Sequence, residues 1–252
     1  MKFMAMIRQI PDAQSAIKIG GGKVDLAGNT LIIDQMDEYG VEEIIKLKEA
    51  QGGEAVVVAF GPERTQEAVR HALSMGADRA ILITAEGYVD PVTQAQILAQ
   101  VIAEEAPDLV FAGGQEADWD SQALGAVVAE ALGWPIVSWA SQLELEAGKA
   151  KVRHDLDSGS EYVRVTLPAV ITTQQGLNEP RYPTLPNIMK AKKKEVKKLV
   201  ASDLGLGENK VQIAEQAIQE KARLGKFITA GDDPASAARK LVELLHEEAK
   251  VI

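Results

Sequence analysis

Two adjacent glycines open the segment Gly113-Gly114-Gln115-Glu116-Ala117-Asp118-Trp119-Asp120-Ser121-Gln122-Ala123-Leu124-Gly125. The segment follows an apolar run, Asp108–Ala112, and leads into a helical pattern over Ser121–Leu132. Glycines after a strand let backbone N–H groups approach a phosphate, and a helix N-terminus favours the negative charge. On spacing alone an ordinary strand–loop–helix turn, capped by Asp120 or Ser121, fits as well. Glu116, Asp118 and Asp120 oppose simple phosphate cradling, because a carboxylate beside a phosphate costs energy unless it points elsewhere. They are expected to cap the helix or to accept bonds from ribose hydroxyls.

Other chemistries find less support. The 252 residues include no cysteine, which excludes disulfides, thiolate metal sites, iron–sulfur clusters and cysteine nucleophiles. The histidines, His71, His154 and His246, lack ligand spacing, so no metal site is expected. Gly20-Gly21-Gly22-Lys23 lacks the first glycine of a phosphate-binding P-loop and continues with Val24, so it reads as a hairpin turn. No G-x-G-x-x-G follows the first strand, where Arg8-Gln9-Ile10-Pro11-Asp12 stands instead, and no Ser-Gly-Gly-x-Asp-Ser loop is present. A net charge of −10 disfavours nucleic acid as a partner. Apolar runs such as Glu54–Phe60 are too short to span a bilayer, and no signal peptide is read near Lys2 and Arg8.

The elements that must position the glycine segment alternate in type. Lys2–Ile7, Ala55–Phe60, Arg79–Thr84, Asp108–Ala112 and Leu167–Thr173 read as strands. Tyr39–Ala50 and Glu63–Met75 carry helical patterns, the second closed by Gly76. Asp90 caps another helix, with Pro91 at its first position. Such alternation implies a parallel sheet covered on both faces, with ligands beyond the carboxyl ends of the strands, after Ile7, Phe60 and Ala112. Beyond Trp134 the pattern changes. Gln142–Glu146, Lys151–Asp155 and Tyr162–Thr166 read as antiparallel strands, turning at Ala147-Gly148 and Ser158-Gly159. A proline-rich stretch, Asn178–Pro186, precedes the lysine run Lys190–Lys198. A polar segment, a short strand at Lys226–Thr229 and a final helix over about Pro234–Ala249 complete the chain.

The stretch Val152–Lys194, VRHDLDSGSEYVRVTLPAVITTQQGLNEPRYPTLPNIMKAKKK, resembles the signature region of electron-transfer flavoprotein β (small) subunits. Asp157, Gly159, Glu161, Leu167–Val170, Leu177–Tyr182 and Thr184–Lys194 match it, a run far more specific than a short motif. Val41-Glu42-Glu43 with Leu47-Lys48-Glu49, Gly61-Pro62, Ala72–Arg79 and Gly113-x-Gln115-x-x-Asp118-x-Asp120 extend the likeness over essentially the whole chain, least well in residues 200–230. His154 replaces a usual basic residue, Ser158 a usual glycine, and Leu124 a common hydroxyl residue. The last weakens a phosphate contact from that side chain.

The resemblance implies an adenine-nucleotide α-hydrolase-like (Rossmann-like) fold with a five-stranded parallel sheet, an antiparallel hairpin insertion and an extended C-terminal arm. Residues 1–190 would form the nucleotide-binding domain, including a partner-recognition loop at 178–190, and 191–252 would form an arm and helix packing on a partner. It implies a non-catalytic electron carrier, a heterodimer whose α subunit carries the redox FAD while this chain buries AMP. By matching, the AMP pocket uses Met6, Asp34, Gln35, Met36, Asp37, Phe60, Gly113, Gly114, Gln115, Asp118, Asp120, Ser121, Gln122, Ala123 and Leu124. Leu185, held between prolines, would anchor acyl-CoA or related dehydrogenases, with Lys190 and Lys193 beside it; without the resemblance these are a core leucine and a solvated helix face. Electrons would pass to a membrane quinone reductase or another acceptor. The compartment would be a bacterial or archaeal cytoplasm, or a mitochondrial matrix.

Two other possibilities stay open at this point: a bifurcating flavoprotein β subunit with a second FAD in the same pocket, and a stand-alone nucleotide-binding stress protein or hydrolase. Trp119, bulky where bifurcating members tend to have glycine, favours AMP over the second FAD. As side chains, Trp119, Trp134 and Trp139 read as packing residues rather than electron relays, His154 as an exposed hairpin residue, and Asp155 as an acidic position near the flavin interface.

Overall fold

A computed structural model gives the fold and describes residues 1–219, 225–229 and 233–252. The chain opens with β1 (Lys2–Ile7), then β2 (Gln9–Pro11), the hairpin β3 (Lys18–Gly20) and β4 (Lys23–Asp25), and β5 (Leu31–Ile33). Next come α1 (Gln35–Gln51), β6 (Glu54–Gly61), α2 (Gln66–Met75), β7 (Arg79–Thr84), α3 (Pro91–Glu105), β8 (Leu109–Gly113) and α4 (Leu124–Leu132). They are followed by β9 (Ile136–Glu146), β10 (Lys149–Leu156), β11 (Gly159–Thr166), β12 (Ala169–Thr173), α5 (Leu185–Ala191), β13 (Val196–Val200) and α6 (Pro234–Leu244).

The main sheet has nine strands in the order β11-β10-β9-β12-β8-β1-β6-β7-β13. From β9 to β13 neighbours run parallel, and β9, β10 and β11 form the antiparallel insertion. The expected five parallel strands are present, but the parallel part is wider. The first half of β9 pairs with β12, and β13 pairs with β7. Strand β13 had been assigned to the arm. It joins the sheet at its edge, pairing with β7, with Val196 packed against the core on one face and Leu199 against the core on the other, while Lys197 and Lys198 stay exposed, a charged edge that resists further pairing. The first compact unit runs from Met1 through Gln216.

Alternation along the strands explains the layers. Phe3, Ala5 and Ile7 of β1 join one core with Val41, Ile44 and Ile45 of α1 and Val69 and Leu73 of α2. Met4 and Met6 join the other with Ile97, Leu98, Val101 and Ile102 of α3 and Val128 of α4. Both faces of the sheet are covered, as apolar parallel strands require. From β1 the chain builds β6 and β7 to one side and β8 to the other, so strand order reverses between β1 and β8.

Caps set the helix starts. Asp34 accepts the Met36 amide at the head of α1, and Asp90 accepts those of Val92 and Thr93 before Pro91 carries α3 forward. The expected helix from Ser121 starts instead at Leu124, because Ser121 and Gln122 are drawn back onto Glu116. The lysine run is not one helix face: α5 ends at Ala191, and Lys194 turns inward to donate to the carbonyls of Leu73 and Ala77 at the end of α2.

The second unit, Ala217–Ile252, carries α6, capped by Asp233. The final helix extends as far as expected only by closing in a π turn at Leu245–Ala249. The strand expected at Lys226–Thr229 is not formed: among the described residues it joins no sheet, and Phe227 is 99% exposed. None of the α6 side chains is buried.

Candidate functional site

The carboxyl ends of β1, β6 and β8 meet the start of α1 and the flank of α3 around a narrow cleft. Met6, Val58, Phe60, Leu98, Ala112 and Leu124 give it an apolar wall, and Arg8, Asp37, Gln94 and Glu116 supply polar groups. It lies at the reversal of strand order, where open α/β sheets bind ligands.

Arg8, the first residue after β1, organises the polar side. Its guanidinium contacts Asp34, lies 2.5 Å from Asp118 and lies 3.6 Å from Asp37. Burial would lower the Arg8 pKa, yet Asp37, Asp118 and Asp34 together raise it. Asp37 accepts the amides of Gly113 and Arg8, both at 2.9 Å. Burial still pushes its carboxyl up to about 7, against the pull of Arg8 and those amides.

The acidic residues of the glycine segment are already engaged. Glu116 is buried and accepts from the Ser121 hydroxyl at 3.0 Å and the Gln122 amide at 2.5 Å. Asp34 accepts the Ala117 amide at 2.8 Å. These carboxylates fold the loop instead of facing an incoming anion. By contrast, no side chain caps α4, whose N-cap position is Ala123. Its first amides remain a site for negative charge.

The glycines are sterically fixed. A Cβ on Gly113 would lie 2.6 Å from Asp37 Oδ1, and one on Gly114 would lie 2.6 Å from the Thr173 carbonyl. One on Gly125, in the first turn of α4, would meet Thr172 Cγ2 at 2.7 Å.

The structure brings Met6, Asp37, Phe60, Gly113 and Leu124 together around the cleft. Asp34 and Asp118 reach it through Arg8. Asp120, Ser121 and Gln122 shape the loop, and Ala123 precedes α4. Gln35 is exposed at the first position of α1 and is not in the lining. Met36 and Gln115 face a separate open groove with Trp139, His154, Asp155, Leu156, Asp157, Gln174 and Gln175. Sequence reasoning missed Arg8 and Gln94 as lining residues; for Arg8 the signal was its place directly after the first strand.

The segment before α5 is fastened to α1. Asn178 donates to the Tyr39 carbonyl at 3.0 Å and to Glu43 at 2.9 Å. Arg181 grips Glu42 and Glu49. Held there, Leu185 is 74% exposed and Tyr182 94%, with Met189, Lys190 and Lys193 also exposed beside them. The core placement weighed for Leu185 does not hold.

The family model of the electron transfer flavoprotein domain matches residues 22–204. Three relatives bear the name electron transfer flavoprotein subunit beta. One from Bacillus subtilis (strain 168) is 37% identical over the full length of both chains. One from Bos taurus is 45% identical over 82% of this chain and 84% of its own. One from Arabidopsis thaliana, named as mitochondrial, is 34% identical over the full length of both.

Proposed function

The chain belongs to the electron transfer flavoprotein family as a β subunit, and from that premise we propose that it holds AMP in the cleft and pairs with an FAD-bearing α subunit. The observation that carries the nucleotide assignment is the pairing, at one switch point, of an apolar wall with a helix end that no side chain caps. Met6, Phe60 and Leu124 would take the base, and the first amides of α4 would take the phosphate. Arg8 balances the carboxylates on the polar side, so the donors and acceptors suit a nucleotide.

In this proposal the chain has no reaction of its own. FAD on the partner supplies the electron storage. This chain positions the assembly and presents Leu185 to acyl-CoA or related dehydrogenases, with Lys190 and Lys193 guiding the approach. Electrons then leave to a membrane quinone reductase or another acceptor. Residues 1–190 would serve as the nucleotide-binding part and 191–252 as the arm, whose first strand, β13, closes the edge of the main sheet. Within that arm Leu241 and Val242, 48% and 55% exposed, would find their cover on the α subunit. Among the described residues no helix is long and apolar enough to cross a membrane. The setting proposed is a bacterial or archaeal cytoplasm or a mitochondrial matrix.

Gly113→Val tests the site. The added side chain must displace Asp37 or Met36, so AMP content and assembly with the flavin subunit should both fall, while the flavin in any assembly formed reacts normally. Unchanged AMP content would place the nucleotide elsewhere.

A further inference from the structure

Two aromatic side chains outside the cleft lining join the two loops that flank it. Tyr88 stands two residues before the cap of α3, in the loop after β7. Trp119 stands in the loop between β8 and α4. Their ring centroids are 4.9 Å apart at an interplanar angle of 47°, ordinary geometry for an attractive aromatic pair. Trp119 is nevertheless 47% exposed, so this contact leaves much of its surface free.

Both loops are fastened. Asn209 donates to the Tyr88 carbonyl at 2.8 Å and accepts the Asp90 amide at 2.9 Å. The Trp119 amide donates to the same Asp118 oxygen that meets Arg8. Asp120 and Gln122 hold φ of 49° and 53°, a left-handed conformation uncommon outside glycine, kept in place by Glu116. Such local strain concentrates where a loop must present a group in one position. The loop roots, Glu116 and Leu124, line the cleft, as do Gln94 and Leu98 of the helix that Tyr88 precedes.

We propose that Tyr88 and Trp119 form the outer wall of the cleft, where Trp119 stacks on the base of an adenine mononucleotide and slows its release. The proposal rests on the nucleotide function proposed above. The inner apolar wall covers one side of a base, and a half-exposed indole bridging the two flanking loops supplies a second π surface. Loss of one base–aromatic stack is expected to speed release by about tenfold, ~1.4 kcal/mol.

The test is exchange of radiolabelled AMP from the full-length protein, in the assembly with which it purifies. Wild type, Trp119→Ala, Trp119→Phe and Tyr88→Ala are compared, with ribose 5-phosphate as a baseless competitor. The expected result is AMP release about tenfold faster in Trp119→Ala and near wild type in Trp119→Phe, with Tyr88→Ala also faster. The affinity of ribose 5-phosphate itself should stay the same in all four proteins. Wild-type AMP release from Trp119→Ala would overturn the wall and leave the nucleotide function standing. Equal weakening of AMP and ribose 5-phosphate would also overturn it, since the tryptophan would then only shape the loop. Failure of wild type to bind AMP at all would remove the nucleotide function and the wall with it.

Discussion

Arg181 holds Glu42 with two guanidinium nitrogens, Nη2 at 2.9 Å and Nε at 2.9 Å, and adds its own backbone amide at 3.1 Å to the same carboxylate. The Glu42 side chain is only 5% exposed, and Arg181 also clamps Glu49 from the solvent side. The pair fixes the segment carrying Leu185 against α1, the helix whose first turn borders the cleft. Arg181→Ala leaves Glu42 buried without its cation, a loss we place at about 1–2 kcal/mol given the partial exposure of Arg181. Hydrogen exchange should quicken at residues 178–184 and remain unchanged in β1 and β6. Arg181→Lys keeps the charge but loses the planar fork, so it should fall between the two. Wild-type exchange in Arg181→Ala would show that the segment is held by something else.

Leu185 projects from the first position of α5, so Leu185→Ala should leave stability within about 0.5 kcal/mol. Burial of a leucine on docking is worth roughly 1.5–3 kcal/mol, about one to two decades of affinity. Electron transfer from a reduced dehydrogenase should slow by that factor at every ionic strength, while direct photoreduction of the flavin stays normal. Neutralising Lys190 and Lys193 should matter chiefly at low salt, because exposed charges steer encounter. Unaffected transfer in Leu185→Ala with every dehydrogenase tried would remove the anchor.

Much of this organisation was legible in the sequence, for identifiable reasons. Asp90 with Pro91 signalled a helix start that the structure repeats atom for atom, since a capping carboxylate and an absent N–H act locally. The apolar runs of β1, β6, β7 and β8 were readable because strands buried on both faces must be apolar throughout. The long signature stretch identified the family. Strand β13 was hidden because Lys197 and Lys198 interrupt its apolar pattern, and four lysines before it pointed to solvent. The start of α4 was misjudged because Ser121 and Gln122 satisfy the distant-looking Glu116 instead of a helix. Arg8 escaped notice because its partners, Asp34, Asp37 and Asp118, converge only in three dimensions.

At the amino ends of β1, β6 and β7, Arg79 joins Glu54 and Glu105, and Lys2 reaches Glu105 at 3.1 Å. The Arg79 hydrogen bonds hold the Glu105 carboxyl down at about 2. A lowered acid contributes stability that is present above its unfolded pKa and lost as pH falls toward the folded value. Glu105→Gln should therefore cost about 1–2 kcal/mol at pH 7, and the difference should close between about pH 4.5 and 2. AMP content should not change. Urea unfolding at several pH values checks this, and a gap that persists at pH 2 would contradict it.

Asp37 has the reverse sign. Its folded carboxyl lies near 7, raised by burial above the ordinary value, so the folded chain retains a proton that the unfolded chain has released. Stability from this group is lost as pH rises through about 4 to 7, with a slope of up to about 1.4 kcal/mol per pH unit. Asp37→Asn removes the titration, so its unfolding midpoint should vary less than wild type between pH 5 and 7.5. Parallel curves would show that Asp37 does not titrate in that range.

The central proposal, a β subunit that keeps AMP while its partner keeps FAD, is tested most directly by native mass spectrometry. The assembly that purifies with this chain is weighed intact, then its subunits are separated in the gas phase and their bound nucleotides identified. The account predicts a heterodimer in which this chain leaves with one AMP and the other subunit with one FAD. A homodimer, or this chain carrying a flavin of its own, would contradict it.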